Sequence, residues 1–248
     1  MKKYPNGASG PNLEQCDIIT FDLQDAQLQF CLPGQSTNIR SVLASQESLS
    51  NWQSTIDFKL LAKNEWGYTA TDEAGEWGVA SVFMDMKLIN LDLDEFESWL
   101  GVTPYCLLKK EELSRLAIEY FTKTALDRSR KFNPDISAEE ALKRYRTFTS
   151  PEDLLISKQD ILPWYTNKLV RIDGNGSSLI QTFIPISERA VIFFLFDITE
   201  QTLDRPFYFT NEECQAFGDM LRDEFLSYVK ITYSLEIQEK IKLYAQNP

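Results

Sequence analysis

Three short stretches carry residue types and spacings capable of chemistry. In Asp57-Phe58-Lys59 an acid and a lysine flank one apolar residue. On a strand, alternation places both side chains on one face, where the acid can hold Mg²⁺ and the ammonium can meet a phosphate. Metal-dependent nucleases use that spacing with a further acid upstream, and none stands out here; strands also carry such triplets through ordinary alternation. Leu91 to Glu97, LDLDEFE, gathers Asp92, Asp94, Glu95 and Glu97. It lacks the glycine and the distant closing glutamate of a calcium loop. Acids at that density suit a helix N-terminus, whose positive end attracts them. Asp173 to Ser178, DGNGSS, contains glycines, but it has no Lys-Ser/Thr pair and leads into a strand, so it reads as a turn.

Histidine is absent from all 248 residues. That removes Ser-His and Cys-His nucleophile pairs, imidazole general bases and histidine metal ligands. The four cysteines, Cys16, Cys31, Cys106 and Cys214, lack the close pairing of a zinc site. Cys214 falls on an apolar helical stripe and reads as a small core residue. Cys16 and Cys31 become diagonal neighbours on a hairpin, which permits a disulfide, whereas a reducing cytosol favours the thiols. No catalytic constellation, metal site or cofactor is expected, and the chain reads as a non-enzyme.

What remains is a surface. Residues 65–78, EWGYTATDEAGEWG, repeat Glu-Trp-Gly around an acidic turn. Asp72 first and Gly75 fourth suit a type I turn followed by a glycine-dependent bulge. That register sets Asp72 opposite Glu76, Tyr68 opposite Ala80 and Trp66 opposite Val82. One face then holds Ile56, Phe58, Leu60, Ala62, Trp66 and Tyr68 beside Ala80, Val82, Met84, Met86 and Leu88. The other face is mixed, with Asp57, Lys59, Lys63, Glu65 and Thr69 beside Trp77, Val79, Ser81, Phe83, Asp85 and Lys87. Trp66 is therefore expected in the core and Trp77 on the mixed face. Asp72, Glu73, Glu76 and Trp77 make the aromatic-plus-acid composition of a contact patch. Trp52, Trp164 and Tyr165 lie near other element boundaries, where core packing is the ordinary fate of such rings.

The elements that position this patch follow from periodicity. Ile19, Phe21 and Leu23, then Ala26, Leu28, Phe30 and Leu32, alternate with polar residues around a Gln24-Asp25 loop and predict a hairpin. Asp94 with Glu97 caps a helix that Gly101 ends. Residues 109–132 predict a long amphipathic helix with Leu113, Leu116, Ala117, Tyr120 and Phe121 on one stripe. Ser137 and Glu140 form a capping box for a third helix over 138–148. Arg128, Arg130, Lys131, Lys143, Arg144 and Arg146 cluster there as solvated helix faces. Ser150 to Asp153, SPED, reads as a linker or a helix start. Asp-Gly and Asn-Gly between apolar runs predict a second hairpin. Residues 189–198, RAVIFFLFDI, are apolar on both faces, as in a strand covered on both sides. Thr210 with Glu213 opens a helix through Phe217, Leu221, Phe225 and Tyr228, and the C-terminal segment is a short amphipathic helix.

The fold class is α+β: antiparallel sheets covered by amphipathic helices, either as two related lobes or as one continuous sheet. The organisation is a flexible N-terminal arm over 1–15, a lobe of hairpins and helix over 16–105, a helical connector over 106–150, and a second sheet-and-helix lobe over 151–248. The formal charge of −12 is uneven, with six Lys/Arg against fifteen Asp/Glu in residues 1–105. Such acidity repels phosphate backbones and favours a basic partner. The longest apolar run, Ala190 to Phe196, is too short to span a bilayer. No apolar segment follows Lys2 and Lys3, so a cytoplasmic protein is expected, with neither nucleic acid nor membrane as its ligand. The function expected is an acidic protein-binding module, most concretely an immunity-type antagonist of a basic toxin or effector. A chaperone or adaptor for a secreted partner, presenting an apolar groove, is the alternative, and a metal-dependent hydrolase using Asp/Glu and Lys is a third.

Overall fold

The computed structural model describes residues 1–5, 7–33, 42–49, 58–73, 75–90, 106–143, 145–146, 150–159, 161–171, 178–200 and 210–246. The chain starts with two short strands, β1 (Lys2–Lys3) and β2 (Ser9–Gly10), which pair with each other, and a 3-10 turn, Leu13–Gln15. Tyr4, Ala8 and Leu13 are buried, so the segment expected as an arm packs onto the body. β3 (Ile18–Asp22) and β4 (Ala26–Cys31) form the expected hairpin, with Phe21 opposite Leu28 and Ile19 opposite Phe30. Gln24 takes the left-handed conformation (φ 67°) that the two-residue loop demands. Its N–H donates to Asp22 Oδ1 at 3.0 Å, which helps a residue other than glycine hold that turn. Phe21, Leu23, Ala26, Leu28 and Phe30 are all buried.

After β5 (Val42–Leu43) and the single helical turn α1 (Gln46–Leu49) come two long strands, β6 (Phe58–Asp72) and β7 (Gly75–Asn90). Helix α2 (Lys110–Phe132) is followed by α3 (Ala138–Lys143). The capping box holds α3 at its start, with Glu140 N–H donating to Ser137 Oγ at 3.2 Å. The helix is shorter than the expected 138–148, because β8 (Tyr145–Arg146) pairs with a strand edge instead. β9 (Leu155–Gln159), β10 (Pro163–Arg171), β11 (Ser178–Pro185) and β12 (Ala190–Glu200) follow, then α4 (Asn211–Ser227), β13 (Lys230–Tyr233) and α5 (Leu235–Gln246).

Among the described residues ten strands form one antiparallel sheet, in the path β1-β2-β6-β7-β12-β11-β10-β8, with β5 on β6 and β9 on β10. The β7–β12 ladder, from Ala190 opposite Asn90 to Glu200 opposite Ala80, joins the two halves of the chain into that sheet. β13, β4 and β3 make a second, three-stranded sheet. The architecture is α+β. On one face of the large sheet, Leu113, Leu116 and Ala117 of α2 pack with Tyr165, Phe183, Val191 and Phe193. On the other, Phe194, Phe196 and Ile198 join Trp66, Phe225 and the small sheet in the main core. Beside them Asp219 of α4 receives Lys168 Nζ at 2.8 Å and Arg222 at 3.0 Å, both cations nearly buried.

The long hairpin departs from simple alternation twice. Tyr68 pairs with Ala80 and Trp66 with Val82, as expected, but at the tip Asp72 pairs with Gly75 and Ala70 with Trp77. The extra residue sits at Val79, between the pairs Thr69–Gly78 and Tyr68–Ala80, and not in the turn. A three-residue loop and a two-residue loop plus a bulge give the same register below the bulge. They give opposite faces above it. Trp77 consequently shares the Trp66 and Tyr68 face and packs against the main core, which corrects its expected place on the mixed face. Val79 is likewise buried. A second irregularity at Leu61 sets Phe58 opposite Ile89 and Leu60 opposite Lys87, so half-buried Leu60 leaves the core face expected for it. Ile56 and Trp52 lie outside the described residues, whereas Trp164 is fully buried.

Both tryptophans of the repeat should therefore contribute to stability. Trp66→Ala, at a site 2% exposed, should cost about 3–5 kcal/mol in urea denaturation. Trp77→Ala should cost about 1–2 kcal/mol, because a half-buried ring loses part of that transfer energy. A Trp77→Ala protein within about 0.5 kcal/mol of the parent, the range of solvated positions, would contradict the bulge at Val79.

Candidate functional site

The acidic turn is built by Gly75, whose φ of +113° closes the Asp72–Gly75 pair. Asp72, Glu73 and Glu76 are exposed, and Thr69 Oγ1 donates to Glu76 Oε1 at 2.6 Å, orienting that carboxylate. Helix α4 adds to this end of the molecule. Its Phe225 stacks on Trp66 with ring centroids 6.5 Å apart, and its Phe217 meets Tyr68 edge-on at 5.1 Å. Going from Trp66 to Tyr68 moves toward the hairpin tip, so the N-terminus of α4 points the same way. Glu213 lies one helical turn, about 5.4 Å, before Phe217. Glu212 and Glu213 are both exposed.

The capping box at Thr210 fixes that first turn. Glu213 N–H donates to Thr210 Oγ1 at 3.2 Å, and Thr210 N–H donates to Glu213 Oε2 at 2.8 Å. The hydrogen bond from the Thr210 backbone N–H, with a further one from its hydroxyl, lowers the Glu213 pKa below the ordinary glutamate range. Asp72, Glu73 and Glu76 are exposed at the hairpin tip, Glu212 and Glu213 are exposed in the first turn of α4, and half-buried Trp77 packs against the main core. From the sequence Glu213 reads as a capping-box residue alone, and Glu212 is not singled out.

A second polar centre lies at the opposite end of β12, where the turn between β11 and β12 meets α5. Glu188 Oε2 accepts from Lys240 Nζ at 2.9 Å, its Oε1 accepts from the Tyr244 hydroxyl, and Lys240 also reaches Glu236 at 3.1 Å. Leu107 N–H donates to the Glu188 carbonyl at 2.8 Å, adding the chain that enters α2. The hydrogen bonds from Lys240 and Tyr244 lower the Glu188 pKa, and they raise those of both donors. Tyr244 is held protonated and Lys240 charged, so the group acts as a clamp and supplies no base. Beside it a cleft of about 290 Å³ is walled by Leu108, Ile161, Leu162, Pro163, Ile241 and Tyr244, with Lys109, Lys110 and Glu111 at its rim. Lys109 Nζ lies 5.4 Å from the Tyr244 ring centroid.

The mixed face beside α2 is a lattice of neutralised charges. Glu65, Phe83 and Asp197 form one row across three strands, and Lys63, Asp85 and Leu195 form the next. Lys63 Nζ sits 4.9 Å from the Phe83 ring centroid, Asp85 pairs with Lys87 at 2.8 Å, and Arg128 approaches Asp197 at 3.8 Å. Burial raises the Asp197 pKa, with Arg128 opposing. Arg128 and Lys143, which pairs with Glu139 at 2.6 Å, take two members of the basic cluster into ordinary ion pairs. Asp57, Asp92 to Glu97, the turn at 173–177 and Arg144 lie outside the described residues. Among the described residues no group of three or more Cys, Asp or Glu side chains is arranged to hold a metal, and no helix is long and apolar enough to cross a membrane. Comparison with protein-family models, curated proteins and solved structures finds no significant match to this chain.

The clamp predicts a pH dependence with a definite sign. Because its pKa is lowered in the folded state, Glu188 stabilises fully above the ordinary glutamate pKa near ~4.3 and loses that contribution as pH falls below it. The site is partly exposed, so solvent screening limits the effect to about 1 kcal/mol. Thermal melts of the parent and Glu188→Gln should differ by about 2–4 °C at neutral pH and converge in acid. A difference that stays constant from neutral pH into acid would show that the carboxylate is not ionically clamped.

Proposed function

We propose that the protein is a non-enzymatic binding module that covers a basic surface of a partner protein with its acidic end, most concretely as an immunity-type antagonist of a toxin or effector. The observation that carries this reading is the exposed acidic tip of the long hairpin, where Asp72, Glu73 and Glu76 precede half-buried Trp77. The first turn of α4, whose Phe217 meets Tyr68 of the same hairpin, adds exposed Glu212 and Glu213. Fixed carboxylates beside an aromatic ring match lysine and arginine side chains, which pair with the acids and lie over the ring. The net charge of −12 supports the same partner sign and opposes a nucleic-acid ligand. Among the described residues the large exposed apolar side chains are Met1, Ile18 on β3, Val42 and Leu43 on β5, Leu155 and Ile156 on β9, Ile161 at the cleft, and Leu235 and Leu243 on α5. A chaperone groove would need them contiguous. The proposed compartment is the cytoplasm.

Charge complementarity acts chiefly on encounter, and exposed charges are screened beyond about 8 Å at physiological salt. With a partner recovered from native cells, the triple variant Asp72→Lys, Glu73→Lys, Glu76→Lys should associate about tenfold more slowly or worse. Its melting temperature should change little, because all three positions are exposed. Raising salt should slow the parent and leave the variant nearly unchanged. Zero-length carbodiimide cross-linking should join partner lysines to carboxylates of this end. Association rates indifferent to both salt and charge reversal would reduce the acidic end to a solubility feature and remove the proposal.

A further inference from the structure

We propose that Cys16 and Cys31 are a reversible disulfide site that staples the N-terminal segment to β4. Two separate pieces of geometry converge on it. Cys16 Sγ donates to the Asn12 carbonyl at 3.6 Å, and Cys31 Sγ donates to the carbonyl of the next residue, Leu13, at 3.5 Å. Both sulfurs therefore sit over the same turn of backbone. In the β3–β4 ladder Ile18 pairs directly with Cys31, and Cys16 lies two residues before Ile18. That diagonal offset is one from which cross-strand side chains can meet. Both residues are thiols in this structure. Each lies close enough to share a hydrogen bond with the other, and burial pushes both pKa values up, Cys31 to about 12.

The exposures assign the order of events. Cys16 is half-buried and Cys31 is 3% exposed. Cys16 is the sulfur that a glutathione disulfide can reach. Its thiolate attacks that disulfide, forming a mixed disulfide and releasing one glutathione thiolate. Cys31 then gives its proton to solvent and attacks the Cys16 sulfur, forming the intramolecular bond and releasing the second glutathione. Two electrons pass from the protein to the oxidant, and two thiols of glutathione are produced. The raised thiol pKa values keep both steps slow at neutral pH, because the thiolate is the nucleophile.

The cross-link would tie down the segment that buttresses the acidic end. Tyr4 meets Tyr68 and Phe217 edge-on at 5.5 and 5.6 Å. Gly10 lies so close to Tyr68 that a Cβ there would fall 2.3 Å from its ring. With the disulfide formed, the chain that follows Tyr4, Ala8 and Gly10 is fixed to β4 at Cys16.

The test is oxidation of the folded, full-length protein with glutathione disulfide, followed by non-reducing digestion with a protease that cleaves before aspartate. Asp17, Asp22 and Asp25 lie between the two cysteines, so the digest separates them unless they are bonded. The expected product is the peptide ending in Cys16 joined to the peptide containing Cys31, returned to separate peptides by dithiothreitol. Cys31→Ser should stop at a glutathione adduct on Cys16, and Cys16→Ser should leave Cys31 unmodified. In the oxidised parent, exchange of the Tyr4 amide should slow, since it donates to the Ala8 carbonyl at 2.8 Å in the tethered segment. The wild-type digest decides the matter even if the Cys31 variant fails to fold. A parent that accumulates glutathione on Cys16 without joining Cys31, or that leaves both as thiols under an excess of oxidant, overturns the proposal.

Discussion

The structure depends on the burial of β12 from both faces. Val191 and Phe193 point to α2, while Phe194, Phe196 and Ile198 point to the main core, and all five are at most 2% exposed. Each ring or branched chain removed from water contributes roughly 1.5–3 kcal/mol. A strand covered on both sides has no water for its peptide groups, so both of its edges must find ladders. β11 satisfies one edge. β7, from the other half of the chain, satisfies the other across the whole length of the strand. Joining the two halves into one sheet follows from that requirement.

The acidic end inherits its geometry from the same core. Helix α4 is held at Phe225, which meets Phe194 and Phe196 at 5.8 and 5.2 Å and stacks on Trp66. Gly218 lets the helix come close to the sheet, where a Cβ would lie 2.5 Å from the tip of Ile198. Asp219, Lys168 and Arg222 then set its rotation, because two nearly buried cations share one carboxylate. Removing that carboxylate would leave Lys168 buried without its acid, while Arg222 would keep Asp223 at 2.7 Å. With β6 and β7 fixed on β12, and α4 fixed on both, the first turn of the helix and the hairpin tip have little freedom to separate.

Local pattern made much of this visible. The Gln24-Asp25 loop, the stripe of α2, the capping boxes at Ser137 and Thr210, and the two-faced run of β12 are each set by residues close in sequence. Trp77 was misplaced because the extra residue can sit in the turn or at Val79 without altering the Trp66–Val82 pairing. Only the face of residues 77–79 distinguishes the two arrangements, and Val79, apolar and next to a glycine, fits either reading. The contact of Phe217 with Tyr68, the Glu188 clamp and the Arg128–Asp197 pair join residues from distant segments. No periodicity encodes them, since each depends on which strands become neighbours.

The charges of the described chain divide by role. At the start of β12, Glu188, Lys240, Tyr244 and Glu236 are bonded to one another and hold α5 against the sheet. On the α2 face, Lys63, Asp85, Lys87, Arg128 and Asp197 each have a cationic, anionic or aromatic neighbour and remain half-buried. At the far end the acids are exposed, and their internal bonds, from Thr69 to Glu76 and between Thr210 and Glu213, come from neutral donors. A neutral donor orients a carboxylate without cancelling its charge. Carboxylates about 8 Å apart in water repel by only ~0.5 kcal/mol per pair, so a fold of ordinary stability tolerates several of them together. The charge of Glu76 and Glu213 therefore faces solvent instead of being cancelled within the fold.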